Sequence, residues 1–178
     1  LEKEVAITRL ADQLKADFSG SGYAQFAALL KAKLAVDNTE LDLAAAELQW
    51  AMDNDPTPET ERLVRLRLAR VEAGRGNIDT ALQMVQGIDS AEMKSAYEEA
   101  KGDFYLQQDN AAAAYTAYES ALAANKSTDA MIANILQLKM SQVKPAELLV
   151  TEPIIEEPLI EEPLAKNSET DSQEGDSQ

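Results

Sequence analysis

The chain has 178 residues and a formal net charge of −16, with 32 acidic against 16 basic residues, and it contains neither Cys nor His. Disulfides, zinc sites, thiol nucleophiles and imidazole bases are thereby excluded, and so negative a surface repels nucleic-acid phosphates and anionic lipid headgroups. Hydrophobic residues make up 45 % of the chain but aromatics only 5 %, so the core must come from Ala and Leu, which lose little freedom on entering a helix.

Taken in order, residues 1–17 read as a helix, with Val5, Ile7, Leu10, Leu14 and Phe18 mostly at helical spacing. Ser19-Gly20-Ser21-Gly22 interrupts it. Helical pattern resumes from Tyr23 to Val36, and Asn38 or Thr39 is placed to cap a helix from Glu40 to Met52. The stretch Asp53-Asn54-Asp55-Pro56-Thr57-Pro58 ends that helix. It opens like a calcium loop but lacks the sixth-position Gly and the closing Glu, so it reads as a turn. A pair of helices at 59–73 and 78–85 flanks Gly74-Arg75-Gly76-Asn77, which has neither the Lys-Ser/Thr nor the preceding strand of a phosphate loop. A further pair, 91–106 and then on to Ala124, flanks Gln107-Gln108-Asp109-Asn110. Ser127-Thr128-Asp129 is placed to cap a last helix ending near Val143, with Met131, Ile132, Ile135, Leu136 and Met140 as its apolar stripe and Asn134, Gln137 and Lys139 toward water.

These helices repeat. Copies beginning at Gln25, Arg62 and Ser95 lie at the spacing of about 34 residues that marks a helix–turn–helix array. Each places a small residue in its first helix (Ala32, Ala69, Gly102), another in its second (Ala44, Ala81, Ala114), and a larger one four positions on (Leu48, Val85, Tyr118). Small side chains let two helix axes approach, and the larger one fills the groove beside the crossing. The fold class is therefore all-α: a tetratricopeptide-like short solenoid of stacked hairpins over residues 1–143, with the last helix as its cap. From Lys144 the composition changes. Pro145, Pro153, Pro158 and Pro163 recur, Glu-Glu-Pro-Leu occurs twice, and ten acidic residues fall between Glu147 and Asp176. Residues 144–178 read as an acidic, Pro/Glu-rich disordered tail.

No carboxylate pair stands at a catalytic spacing. Glu98, Glu99 and Asp103 read as a solvated face, and neither a catalytic site, a metal nor a cofactor is expected. Five of the six arginines, Arg62, Arg65, Arg67, Arg70 and Arg75, crowd together. They read as a face paired with Glu59, Glu61 and Glu72, or as a cationic patch for an acidic partner. The inner face of such a stack is lined by the first helix of each copy. That places Phe26, Leu29, Lys33, Leu66, Arg70, Asp103 and Leu106 along one groove, suited to an amphipathic or extended protein segment. A clamp for a terminal carboxylate is not expected, because Glu99 and Asp103 would repel it.

The runs Ala46-Glu47-Leu48-Gln49-Trp50-Ala51, Leu66-Arg67-Leu68-Ala69-Arg70-Val71, Asn77-Ile78-Asp79-Thr80-Ala81-Leu82, Lys101-Gly102-Asp103 and Leu136-Gln137-Leu138-Lys139-Met140, in that order, resemble the YfgM family of ancillary SecYEG translocon subunits. The resemblance covers about residues 5–143. It implies a tetratricopeptide-like domain on the periplasmic side of the bacterial inner membrane, a single membrane helix upstream of Leu1, and association with SecYEG and the chaperone PpiD. It also implies a role in passing exported proteins to periplasmic chaperones. The acidic tail is not a feature of that family's core. A soluble cytosolic scaffold or co-chaperone without any membrane connection is the alternative.

Overall fold

The computed structural model describes residues 2–88, 90–128 and 130–143. Among these there are eight helices and no strand: α1 (Glu2–Asp17), α2 (Gly22–Asp37), α3 (Leu41–Asp53), α4 (Pro58–Gly74), α5 (Ile78–Val85), α6 (Lys94–Gln107), α7 (Ala111–Ala124) and α8 (Ala130–Gln142). The expected tail at 144–178, and Asp129 of the expected cap, lie outside the described residues.

Local chemistry sets the boundaries. Ser21 caps α2, its Oγ accepting from Ala24 N–H at 3.2 Å. Thr57 caps α4 in the same way through Thr60 N–H, with Pro58 in the first turn, where a missing N–H costs nothing. Residues 91–93 are turn rather than helix. The Ser90 hydroxyl accepts from Met93 N–H at 3.3 Å and holds the backbone out of the helix until Lys94. Asn38 and Thr39 do not cap α3. Asn38 closes α2, and Glu40 precedes α3 without a side-chain bond.

The three hairpin turns are built alike. Glu40, Asn77 and Asn110 donate their N–H to the carbonyls of Ala35, Glu72 and Tyr105 at 2.8, 2.9 and 2.9 Å. The residue before each is left-handed, with φ of 62° at Thr39, 88° at Gly76 and 58° at Asp109. A residue in that conformation lets the chain double back and satisfy the helix's last carbonyls. Thr39, Gly76 and Asp109 occupy the same place in the three copies begun at Gln25, Arg62 and Ser95, so one turn geometry recurs despite three different residues.

The core runs as three clusters along the stack. The first joins Ala28, Ala32 and Ala35 of α2, Ala44 and Leu48 of α3, and Val64, Leu68 and Val71 of α4. The second joins Leu66, Ala69 and Ala73 of α4 to Ala81 and Val85 of α5 and Tyr97, Ala100 and Phe104 of α6. The third holds Ala114, Tyr118 and Ala121 of α7 with Leu136 of α8 and Val143. Helix α4 thus presents one apolar row to each of two neighbouring clusters. The assigned crossing residues Ala32, Ala44, Ala69, Ala81, Gly102, Ala114 and Tyr118 are all buried.

Helix α8 packs on α7 through Leu136, but Met131, Ile132, Ile135 and Leu138 stay exposed. Lys139, expected toward water, turns inward instead. It donates to Glu99 Oε1 at 2.8 Å and to Asp103 Oδ1 at 2.8 Å, because α6 brings two carboxylates under the end of α8.

Candidate functional site

Between α2 and α4, with α3 as its floor, lies an open cleft of about 400 Å³, lined by Leu29, Ala32, Lys33, Val36, Leu41, Leu48, Arg67, Arg70 and Val71. Its position follows from helix geometry. At about 3.6 residues per turn, α4 commits Val64, Leu68 and Val71 to one core and Leu66, Ala69 and Ala73 to the next. Arg67 and Arg70 are left on the strip between. On α2, Leu29, Lys33 and Val36 share a face that α4 covers incompletely, since the bulk at the crossing is only Ala32. The cleft has an apolar bottom and a cationic wall.

The charges divide sharply. Arg62 pairs with Glu59 at 3.3 Å, Arg65 with Glu61, and Arg75 with both Glu72 and Asp42 at 2.7 Å. Lys33 pairs with Asp37 on the exposed side of α2. Arg67 and Arg70, both exposed, make no ion pair or hydrogen bond among the described residues. Of the arginine cluster in the sequence, the pairing with Glu59, Glu61 and Glu72 accounts for three members, and the two on the cleft are left over.

Of the seven residues assigned to one groove, Leu29, Lys33 and Arg70 meet in this cleft. Phe26 lies one turn before Leu29 on α2 and is 70 % exposed, flanked by exposed Tyr23 and Leu30. Leu66 does not reach the groove. Four residues slightly exceed one helical turn, so although Arg70 emerges, Leu66 falls into the second core cluster with 3 % exposure. Leu29, at 6 %, is also mostly core and offers only an edge. Leu106 is exposed at the end of α6, away from the cleft's lining. Asp103 is occupied: it accepts from the Tyr118 hydroxyl at 2.7 Å and from Lys139. Val36, Leu41, Leu48 and Arg67 also line the cleft but were not assigned to the groove; Arg67 was read only within the arginine cluster and Leu48 only as a packing residue. The signal available for Arg67 was its i, i+3 relation to Arg70.

Elsewhere the buried charges are structural. Glu47 of α3, 6 % exposed, receives both Lys15 of α1 and Lys31 of α2, and Lys31 also reaches Asp12. Burial works against the charge on Lys31, but the hydrogen bonds it donates to Asp12 and Glu47 outweigh it and hold the pKa above the ordinary lysine value. Lys139 behaves alike: desolvation lowers its pKa, and Asp103 and Glu99 raise it further than burial lowers it. Tyr118 is pushed well above the usual phenol range by burial, with its bond to Asp103 adding to the effect. Among the described residues no three acidic side chains converge as a metal site would require. None of their helices is long and apolar enough to cross a membrane.

The stack of hairpins and the cleft on its helical face define a helical-repeat protein, and the sequence matches the tetratricopeptide repeat-like domain family over residues 2–145; the chain belongs to that family. Two curated relatives carry the description ancillary SecYEG translocon subunit. One, from Aggregatibacter actinomycetemcomitans, is 28 % identical over 123 residues, covering 69 % of this chain and 59 % of the relative. The other, from Escherichia coli K12, is 25 % identical over 121 residues, covering 68 % and 58 %. The chain therefore spans under two thirds of the length of these relatives. They bear the description that the resemblance of the sequence to the YfgM family implied. No solved structure gives a significant match.

Proposed function

We propose that this chain is a non-enzymatic docking domain that associates with the SecYEG translocon and takes a segment of a partner protein in the α2–α4 cleft. The supporting observation is the cleft itself: an open, apolar-floored groove beside two arginines that no carboxylate among the described residues neutralises. Such a surface suits an extended segment carrying apolar and acidic side chains. The apolar contacts supply affinity, and the arginines supply orientation and association rate. The translocon enters through the names of the two relatives. The periplasmic side of the inner membrane, an anchor upstream of Leu1, PpiD as partner and the passing of exported proteins to chaperones enter through the family resemblance.

The test is photo-crosslinking in native membranes from a probe at Lys33, an exposed position on the cleft rim. Translocon subunits or a membrane-anchored chaperone are the expected products, with yield falling at high ionic strength. Arg67→Glu with Arg70→Glu lowers that yield without altering helicity, because both side chains are exposed. Substituting Leu29 and Leu66 by Glu would not serve, since both are buried and the carboxylates would break the core. Undiminished crosslinking from a folded Arg67/Arg70 variant would move the site off this cleft.

A further inference from the structure

We infer that the outer face of the α1–α2 hairpin is a self-association surface, on which a second copy of this chain docks about a two-fold axis through Leu10, Leu14, Phe18, Tyr23, Phe26 and Leu30. All six side chains are exposed, the aromatic three by 57 % at Phe18, 76 % at Tyr23 and 70 % at Phe26. Helix geometry makes them one surface. Helix α1 packs on α2, with Ala11 buried. At about 3.6 residues per turn, Asp12 and Lys15 fall on one flank of Ala11, and Leu10 and Leu14 on the other. Lys15 binds Glu47 of α3, and Asp12 binds Lys31, which also binds Glu47. The charged flank therefore faces α3, and the leucine flank faces away from it. Helix α2 likewise turns Ala28 and Lys31 toward α3. That leaves Tyr23, Phe26 and Leu30, spaced three and four residues apart, as a stripe on its far side. The two apolar rows run side by side, and Phe18 closes them at the turn.

Two properties select an identical copy as the occupant. The first is area. Aromatic side chains carry about 150–250 Å² each, so at their observed exposure the three aromatics, with the three leucines, present roughly 600 Å². That is at the top of the range of about 300–600 Å² for the largest apolar patch on a monomer. A stable interface takes about 800 Å² from each partner, so the patch supplies most of one, and a polar rim completes it. The second is charge. Residues 1–37 carry five acidic and five basic side chains, so the whole net charge of −16 belongs to the rest of the chain. Two molecules this acidic repel one another elsewhere, and the hairpin is where they meet without that cost. A neutral face gives no steering to a strongly charged partner, and the acidic remainder opposes anionic lipid. A two-fold contact sets the same row against itself and closes, so association stops at two copies. None of this depends on the partner proposed for the α2–α4 cleft.

The test is sedimentation equilibrium of the full chain over a concentration series. A reversible monomer–dimer equilibrium is expected, and it should strengthen as salt is raised, because screening relieves the repulsion between two acidic bodies while the apolar contacts persist. Crosslinking at the cleft is expected to change with salt in the opposite sense, so the two readings fail separately. Leu10→Glu with Phe26→Glu should be monomeric at concentrations where the parent is dimeric, with helicity unchanged because both side chains are exposed. Tyr23→Ser with Phe26→Ser, which adds no charge, should raise the dissociation constant at least about tenfold, as loss of two aromatic anchors would. Ile135→Glu with Leu138→Glu, on the exposed side of α8, should leave the dimer intact.

The absence of cysteine allows the face to be located directly. A nitroxide at the exposed position Gln13→Cys should broaden the methyl resonances of Leu10, Leu14 and Leu30 in an isotopically labelled copy that carries no nitroxide. A parent that stays monomeric throughout the series overturns the inference, as does a dimer that dissociates in salt or survives both α1–α2 variants. A dimer lost only in the α8 variant moves the interface to that helix. A monomeric parent that binds phosphatidylcholine vesicles, and ceases to when Leu10 and Phe26 are changed to Glu, assigns the face to lipid instead.

Discussion

A Cβ added at Gly102 would lie 2.3 Å from Cε1 and 2.4 Å from Cδ1 of the Tyr118 ring. The ring cannot step aside. It is 1 % exposed, its hydroxyl donates to Asp103, and Lys139 stands 5.5 Å over its face. Alanine favours a helix interior over glycine by about 1 kcal/mol, but overpacking costs about 1–3 kcal/mol, and here the clash is with a pinned ring. Gly102→Ala is therefore expected to lower the unfolding free energy by about 1–2 kcal/mol in urea titration. In a Tyr118→Leu background the same change should become neutral or stabilising; destabilisation of equal size there would show that the ring is not the obstacle. Thr39 poses the opposite case. Its φ of 62° is one that a β-branched residue rarely adopts, at a cost of roughly 1–2 kcal/mol. Glycine would relieve it while adding about 0.5–1 kcal/mol of chain entropy to the unfolded state. Thr39→Gly should thus stabilise the chain slightly, raising the melting temperature, and a fall would mean that the Thr39 hydroxyl bond to the Asn38 carbonyl outweighs the strain.

Helix α1 is attached differently from the others. Ala11 is its one buried residue among those described, and Val5, Leu10, Leu14 and Phe18 are exposed. What fixes it is the buried carboxylate of Glu47, gripped by Lys15 of α1 and Lys31 of α2, with Lys15 also 4.5 Å from the centre of the Trp50 ring. Removing one partner of such a group leaves uncompensated charge that must find water, and α1 can do so by swinging away. Glu47→Ala is expected to speed amide exchange across residues 2–17 and to shift the emission of Trp50, the chain's single tryptophan, to the red, while α6 and α7 keep their protection. Unaltered Trp50 emission and exchange would place the attachment of α1 in its apolar contacts instead. At this scale the sequence was a good guide to what is periodic and a poor one to what is shared. The eight helices of the described residues follow from spacing and breakers, because both are local, although the cap expected for α3 at Asn38 or Thr39 does not form. The division of α4 between two cores, which buries Leu66 and frees Arg67, depends on neighbours that no local window contains. The left-handed turns at Thr39 and Asp109 were hidden because only Gly76 advertises that conformation. Asp103 could not be read as occupied, since its partner Lys139 comes from a helix 36 residues further on.

At the scale of the whole molecule, the described residues form a row of three apolar clusters in which most helices face only their neighbours, and energy in such a row is close to a sum of local and nearest-neighbour terms. Position along the row should then matter more than the size of the side chain removed. Leu136 and Leu68 are both leucines of the core, 1 % and 4 % exposed. Leu136 is the buried anchor of terminal helix α8, touching the third cluster alone. Leu68 lies on α4, the helix that belongs to both the first and second clusters. Truncating a buried leucine to alanine costs about 2–5 kcal/mol wherever the cavity cannot collapse. At the end of the row, that loss can be absorbed by detaching one helix. In the middle, detaching α4 would strip the cover from α2 and α3 on one side and from α5 and α6 on the other, so the loss must fall on the stack as a unit. Leu136→Ala is therefore expected to accelerate amide exchange in α8 and the facing turns of α7 while leaving α2 to α4 near their original rates. Leu68→Ala should accelerate exchange from α2 through α6 together and lower the main melting transition. If Leu136→Ala instead speeds exchange in α2 as much as in α8, the three clusters unfold as one cooperative core, and the description of the protein as a row of separable repeats is wrong.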